Sequence, residues 1–147
     1  MTYSYNDCVE GGFLRRIPPS KDNASRSIEK AEKWLLESKI TLESMAFNSS
    51  VIASYMVMFH SARAILFNDG WREKNHLCVS RYLHEKYVKT EKLNEKWTEL
   101  LDYHRNIRHN NQYNLSFFAA NDDAKNALNS AKLFLEQMKE LLEKIQS

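Results

Sequence analysis

SYMVMFHSARAILFNDG, Ser54–Gly70, is the stretch that decides the fold. It belongs to a longer apolar run: no Asp, Glu, Lys or Arg occurs from Ser44 to Ala62, and Arg63 is the only formal charge between Glu43 and Asp69. Val51, Ile52, Tyr55, Met56, Val57, Met58, Phe59 and Ile65 cover most of the circumference of a helix expected over about Ser49 to Phe67. A helix that is apolar nearly all round lies at the centre of a bundle or in a membrane. Ser49, Ser50, Ser54, Tyr55, His60 and Ser61 make the stretch too polar for a membrane span, and no second span follows, so a bundle without a membrane is expected. Asn68-Asp69-Gly70 supplies the stop.

A central helix needs others to cover it, and the flanking sequence offers them. Before it, Ala24, Ile28, Ala31, Leu35 and Leu42 follow a three–four spacing from about Ser20 to Met45, with Ser20 as N-cap behind Pro18-Pro19. Asn48-Ser49-Ser50 should break that helix and cap the next. After it, a loop with Trp71 and Arg72-Glu73-Lys74 leads to a shorter helix from about His76 to Lys89, carrying Leu77, Leu83, Tyr87 and Val88 inward. A fourth helix, about Leu93 to Asn110, has the apolar line Leu93, Trp97, Leu100, Leu101 and Ile107. Asn121 should cap the last helix, with Asp122 and Asp123 in its first turn to suit the dipole. Its seam is Ala124, Leu128, Ala131, Leu135, Met138, Leu142 and Ile145, doubled by Ala127, Phe134 and Leu141. The fold class is therefore all-α, an up-and-down antiparallel bundle of about five helices over residues 20–147. Residues 1–19 read as a poorly structured lead-in, unless Phe13, Leu14 and Ile17 dock on the bundle.

Composition supports this. Three glycines and two prolines in 147 residues are too few for a turn-rich sheet protein. A net charge of +2 does not make a nucleic-acid coat, so any basic function must be local. Cys8 and Cys78 are two cysteines far apart with no CxxC spacing, which suggests neither a disulfide framework nor a zinc site and points to a reducing, cytoplasmic location.

The local basic feature is RNIRHNNQY, Arg105–Tyr113. No carboxylate occurs between Tyr103 and Ala120 to neutralise it. Arg105, Arg108 and His109 fall on one flank of the fourth helix. Guanidinium forks match phosphate oxygens, and a histidine can give or take a proton near neutral pH. Together they suffice for metal-free RNA cleavage, with Arg105 and Arg108 on the phosphate, His109 as acid or base, and Asn106 orienting the group. The alternative is that both arginines pair with surface carboxylates near the helix C-terminus. On the central helix, His60 and Arg63 either complete the phosphate site or leave Arg63 paired with a glutamate. His76, Cys78 and His84 could be drawn around a metal, but a fourth ligand is missing. No metal and no cofactor is expected, and His104 reads as a core or interface histidine.

SYMVMFHSARAILFNDG, then HLCVSRYLHEKYVK (His76–Lys89), then LLDYHRNIRHNNQY (Leu100–Tyr113) and a long amphipathic last helix together resemble the HEPN domain family, prokaryotic helical nucleotide-binding or ribonuclease domains. The likeness is to the branch with an aromatic-Phe-His-x-x-Arg-Ala central helix, and it runs from about Ser27 to the C-terminus. It implies a helical bundle that forms a homodimer with its functional helices facing, RNA or a nucleotide as ligand, and a minimal nucleotidyltransferase as partner in a toxin–antitoxin pair. Catalytic members place four to six residues between an arginine and a histidine, whereas three separate Arg105 from His109. Arg108 and Tyr113 fit the branch's arginine–tyrosine ending, which makes Tyr113 a site of modification by the partner. His60, Arg63 and His76 match the branch's pattern and would line the same groove.

Overall fold

The computed structural model describes residues 3–147. The chain is mainly helical, with six α-helices and one pair of very short strands among those residues. Of the residues 1–19 expected to form a poorly structured lead-in, Met1 and Thr2 lie outside the described residues and the rest are ordered and docked on the bundle. Ser4 caps α1 (Tyr5–Glu10) through a reciprocal box in which the Asp7 N–H donates to Ser4 Oγ at 3.1 Å and the Ser4 N–H donates to Asp7 Oδ2 at 2.9 Å. Leu14 of β1 (Leu14–Arg16) is buried, and Phe13 packs against the core beside it. Cys8 is bonded to Cys78, which corrects the reading of two unpaired thiols and removes cysteine usage as an argument for a reducing compartment. Apolar docking plus a covalent tie gives this segment the stability that six helical residues alone do not have.

Ser20 caps α2 (Lys21–Glu43), its Oγ accepting from the Asn23 N–H at 3.0 Å. The helix ends at Ser44, and Met45 takes a left-handed φ of 63° to turn the chain. The central helix α3 (Phe47–Asp69) begins two residues earlier than expected, with Ala46 rather than a serine at its N-cap. Ser50 is buried and works elsewhere. Small residues on α2 (Ala24, Ser27, Ala31, Ser38) let α2 and α3 approach closely as an antiparallel hairpin. Hydroxyls satisfy the polar atoms this contact buries: Ser38 Oγ lies 2.6 Å from Ser54 Oγ, Ser50 donates to the Ser38 carbonyl at 2.9 Å, and Ser27 donates to the His60 carbonyl at 2.7 Å.

Gly70 ends α3 in the left-handed conformation, φ 88°, where a Cβ would meet the Ile17 carbonyl oxygen at 2.8 Å. The expected Trp71 loop is strand β2 (Trp71–Glu73), antiparallel to β1 with Leu14 opposite Glu73 and Arg16 opposite Trp71. Asn75 caps α4 (His76–Leu83), which runs on as one π-helical turn over His84–Val88. Asp69 accepts from the Tyr82 and Tyr87 hydroxyls at 2.7 and 2.5 Å and ties this region to the end of α3. Asn94 caps α5 (Glu95–Tyr113), which runs past Asn110 so that Tyr113 is still helical. The last helix, α6 (Asn121–Gln146), buries nine of its ten predicted seam residues, with Ile145 packed at the edge. α3 packs on α2, α5 and α6 and is the hub of the bundle. It is also the one described helix long and apolar enough to cross a membrane, but 72% of that window is buried inside the protein.

Candidate functional site

The site is assembled where α3, the start of α4 and the middle of α5 meet. On α3, Tyr55, Phe59 and Arg63 repeat every four residues and form one aromatic–basic ridge. His76 opens α4, and its ring stacks on Phe59 with centroids 3.9 Å apart. From α5, Arg108 lays its guanidinium over the Tyr55 ring, 4.9 Å from the centroid. Arg108 Nη2 lies 3.3 Å from His76 Nδ1, and the Tyr55 hydroxyl lies 3.0 Å from the same nitrogen. A guanidinium can only donate, so Nδ1 must accept and the ring proton sits on Nε2.

Charge balance around the cluster is incomplete. Arg108 also donates through Nη1 to Gln112 Oε1 at 2.9 Å, but its Nε is buried with no acceptor. Arg105 Nε is buried and unpaired in the same way. Its one ion pair among the described residues is a long one, 3.7 Å, to Asp102. That carboxylate sits just outside the stretch the sequence reading treated as free of acids, and it partly neutralises Arg105 after all. Asp102 is shared, accepting from Ser80 Oγ at 2.7 Å and from Arg81 Nη1 at 3.4 Å. Buried N–H donors normally find an acceptor. Two orphaned guanidinium donors on one helix face have the chemistry to donate to an anion.

The remaining predicted residues divide. Arg63 lies over both Phe59 and Phe67, 5.3 and 4.8 Å from their centroids, and pairs with Glu73, as one of its two sequence readings held. His60 lies next to Phe59 but on the side facing α2. Asn106 and His109 are exposed, and the His109 ring touches Tyr113 at 4.9 Å, away from the buried pair. A turn of about 100° per residue puts Arg108 and His109 on opposite sides of Arg105, Arg108 inward and His109 outward. Tyr113 is 65% exposed. Cys78 is held in the disulfide and offers no thiolate to a metal. Sequence reasoning missed Tyr55, Phe59 and Asp102. The four-residue aromatic repeat leading to Arg63 was the available signal for the first two.

Burial keeps His60, His76 and His104 neutral, with neighbouring arginines adding to it at His60 and His76. His76 is lowered to about 4, by burial first and then by Arg108, Arg63 and Arg105. His60 is lowered to about 4 by burial, then Arg63, Lys30 and His76. His104, a core residue, is lowered to about 4 by burial alone. Tyr55 is raised to about 12, because burial outweighs the two arginines. The unfolded chain therefore binds protons on these three histidines between about pH 6.5 and pH 4 while the folded chain does not. Stability should be full above about pH 6.5 and fall as pH drops toward 4, with each histidine contributing a slope of up to about 1.4 kcal/mol per pH unit. Urea denaturation across that range, repeated on His104→Phe, checks this. The variant should show a shallower slope, and an unchanged one would mean that His104 titrates normally.

The family model for the HEPN domain matches residues 24–141. Two proteins of Methanocaldococcus jannaschii are similar over most of their lengths. "Putative toxin MJ0142" is 26% identical over 122 residues, 83% of each chain. "Putative toxin MJ0605" is 25% identical over 118 residues, 80% of this chain and 87% of its own. With the helical bundle and a family-model match across most of its length, the chain belongs to the HEPN domain family.

Proposed function

We propose that this protein is the RNA-cleaving toxin member of a toxin–antitoxin pair and that it works without a metal ion. The observation that carries the reading is the pair of buried, acceptor-less Nε groups of Arg105 and Arg108 beside neutral His76. An RNA phosphate supplies the missing acceptors. In cleavage, the ribose 2′-oxygen attacks the adjacent phosphorus and its proton goes to a base. The P–O2′ bond forms, the P–O5′ bond breaks, and the 5′-oxygen takes up a proton. The products are a 2′,3′-cyclic phosphate and a 5′-hydroxyl. Arg105 and Arg108 stabilise the extra negative charge on phosphorus-bound oxygens, His109 moves the proton, and Asn106 orients the phosphate.

His109 points outward from its own cluster, so we assign it to the seam of a homodimer in which two α5 helices face each other. Tyr113, exposed beside it, is open to modification by a nucleotidyltransferase partner. Because RNA is the ligand, we place the protein in the cytoplasm, its disulfide protected by complete burial. The outward His109 equally favours a second reading, a non-catalytic module that binds a nucleotide or a nucleotidyltransferase partner through the same arginines.

Purified protein, Arg108→Ala and His109→Ala should be incubated with mixed RNA in EDTA. Loss of a charge-stabilising donor is expected to slow cleavage about 100-fold or more in Arg108→Ala. His109→Ala should lose cleavage while keeping RNA affinity. A folded wild type that does not cleave RNA rejects the first reading, and one that also binds neither a nucleotide nor a nucleotidyltransferase partner rejects both.

A further inference from the structure

Outside the arginine cluster, the strongest unassigned feature is a cavity of about 470 Å³ between α2, the far side of α3 and β2. Four cations line it: Arg26 and Lys30 one turn apart on α2, Arg63 on α3 and Arg72 on β2. Asn23, Ser27 and His60 complete the polar wall, and no carboxylate among the described residues lines the cavity. Arg63 is balanced by Glu73, and Arg26 meets Asp22 only at 3.9 Å with both side chains largely exposed. Lys30 and Arg72 have no ion-pair partner among the described residues. The His60 ring is lowered to about 4 by burial and by Arg63 and Lys30, so it faces the cavity as a neutral hydrogen-bonding group. Its ring nitrogens have no hydrogen-bond partner among the described residues.

The sequence reading placed His60 and Arg63 in one groove with His76 and Arg108, but the structure separates them. Phe59 is the wall between: His76 stacks on it with centroids 3.9 Å apart, and the Arg63 guanidinium lies 5.3 Å from its centroid. Two cationic sites one aromatic ring apart match a ligand with regularly repeated negative charges. A single phosphate would need only one of them.

We infer that the α2–α3–β2 cavity is a second phosphate subsite, holding a phosphate of the same RNA strand that flanks the one bound at Arg105 and Arg108. This rests on the RNA reading above and extends it with Lys30, Arg72 and Arg26. Lys30 and Arg72 are exposed and unpaired, so removing them leaves the core untouched.

The test measures binding of a fluorescent single-stranded oligoribonucleotide in EDTA across a salt series. The proteins are the wild type, Lys30→Gln/Arg72→Gln, a charge-matched control Lys125→Gln/Lys132→Gln on α6, and Arg105→Ala/Arg108→Ala. Each lost phosphate contact to a single strand should lower the slope of log affinity against log salt by about 0.7. The subsite holds one phosphate, so the subsite variant is expected to lose about 0.7 from the slope, with the α6 control unchanged. A dinucleotide with one phosphate should bind wild type and subsite variant alike. An unchanged slope in the subsite variant, an equal loss in the control, or a dinucleotide that binds only the wild type would each overturn the inference. So would a wild type that binds no RNA. The α5 variant separates the two claims. Full affinity there with loss in the subsite variant rejects the arginine-cluster reading and keeps a phosphate site here, whereas the reverse pattern rejects the subsite alone.

Discussion

Reduction of the Cys8–Cys78 bond is expected to lower unfolding stability by about 4 kcal/mol. The bond links residues 70 apart in sequence, and the chain-entropy treatment of a loop of that length gives about this value at 25 °C. For a chain of this size the loss corresponds to a fall in melting temperature of roughly 10 °C. Both cysteines are completely buried, so the freed thiols gain no hydration while the native contacts persist. What then holds the first segment is the β1–β2 pairing, Leu14 and Phe13 against the core, the ring of Tyr5 against Trp71 and Tyr82, and the hydrogen bond from Arg81 Nε to the Tyr3 carbonyl at 2.7 Å. Urea denaturation of the oxidised protein, the reduced protein and Cys8→Ser/Cys78→Ser checks this. A difference under about 1 kcal/mol would mean that the reduced, unfolded chain is already compact enough to have lost that entropy.

The second large effect concerns the ion pair between Arg63 and Glu73. The two side chains are 17% and 6% exposed, and burial pushes the Glu73 carboxyl above its ordinary range even though Arg63 acts in the opposite direction. Removing one partner strands the other charge in a poorly hydrated place. Glu73→Ala is therefore expected to destabilise by about 3–5 kcal/mol. Replacing both partners, Arg63→Met with Glu73→Leu, should recover most of that, because two apolar side chains carry no uncompensated charge. If the single variant costs less than 1 kcal/mol, Arg63 reaches water through the neighbouring cavity and the pair is not structurally required. The double variant then serves as the control for local packing.

The bundle was legible because its strongest signals are periodic. α6 repeats its apolar residues over 26 positions, and α3 has no charge for most of its length, so burial could be read directly from spacing. Ser20 and Gly70 marked helix ends because capping chemistry is local. The strands were not legible: three residues carry too short an alternation to register, and Leu14–Arg16 pairs with Trp71–Glu73 only because α2 and α3 lie between them as a hairpin. The cysteine pairing depends on that same long-range arrangement. At the site, Arg108 and His76 meet 3.3 Å apart, whereas Arg63 is paired with Glu73 and reaches the cluster only across the Phe59 ring. Their wall of Tyr55 and Phe59 was read only as core, because an aromatic on an apolar helix looks the same whether it packs or lines a groove. His109 shares a flank with Arg105 by count, yet one further step around the helix carries it away from Arg108.

The apolar circumference of α3 also governs the order in which the chain can mature during synthesis. The helix meets α2 at once, since only a three-residue connection separates them, but its remaining faces wait for α5 and finally α6. Until residues 121–146 have left the ribosome, a 23-residue helix whose most apolar 18-residue window has a mean hydropathy of 1.4 stays partly uncovered. Such a surface is what chaperones and membrane-targeting factors bind. A ribosome stalled before the last helix would thus yield a nascent chain treated as sticky or membrane-bound cargo, and α6 is the segment whose arrival ends that exposure.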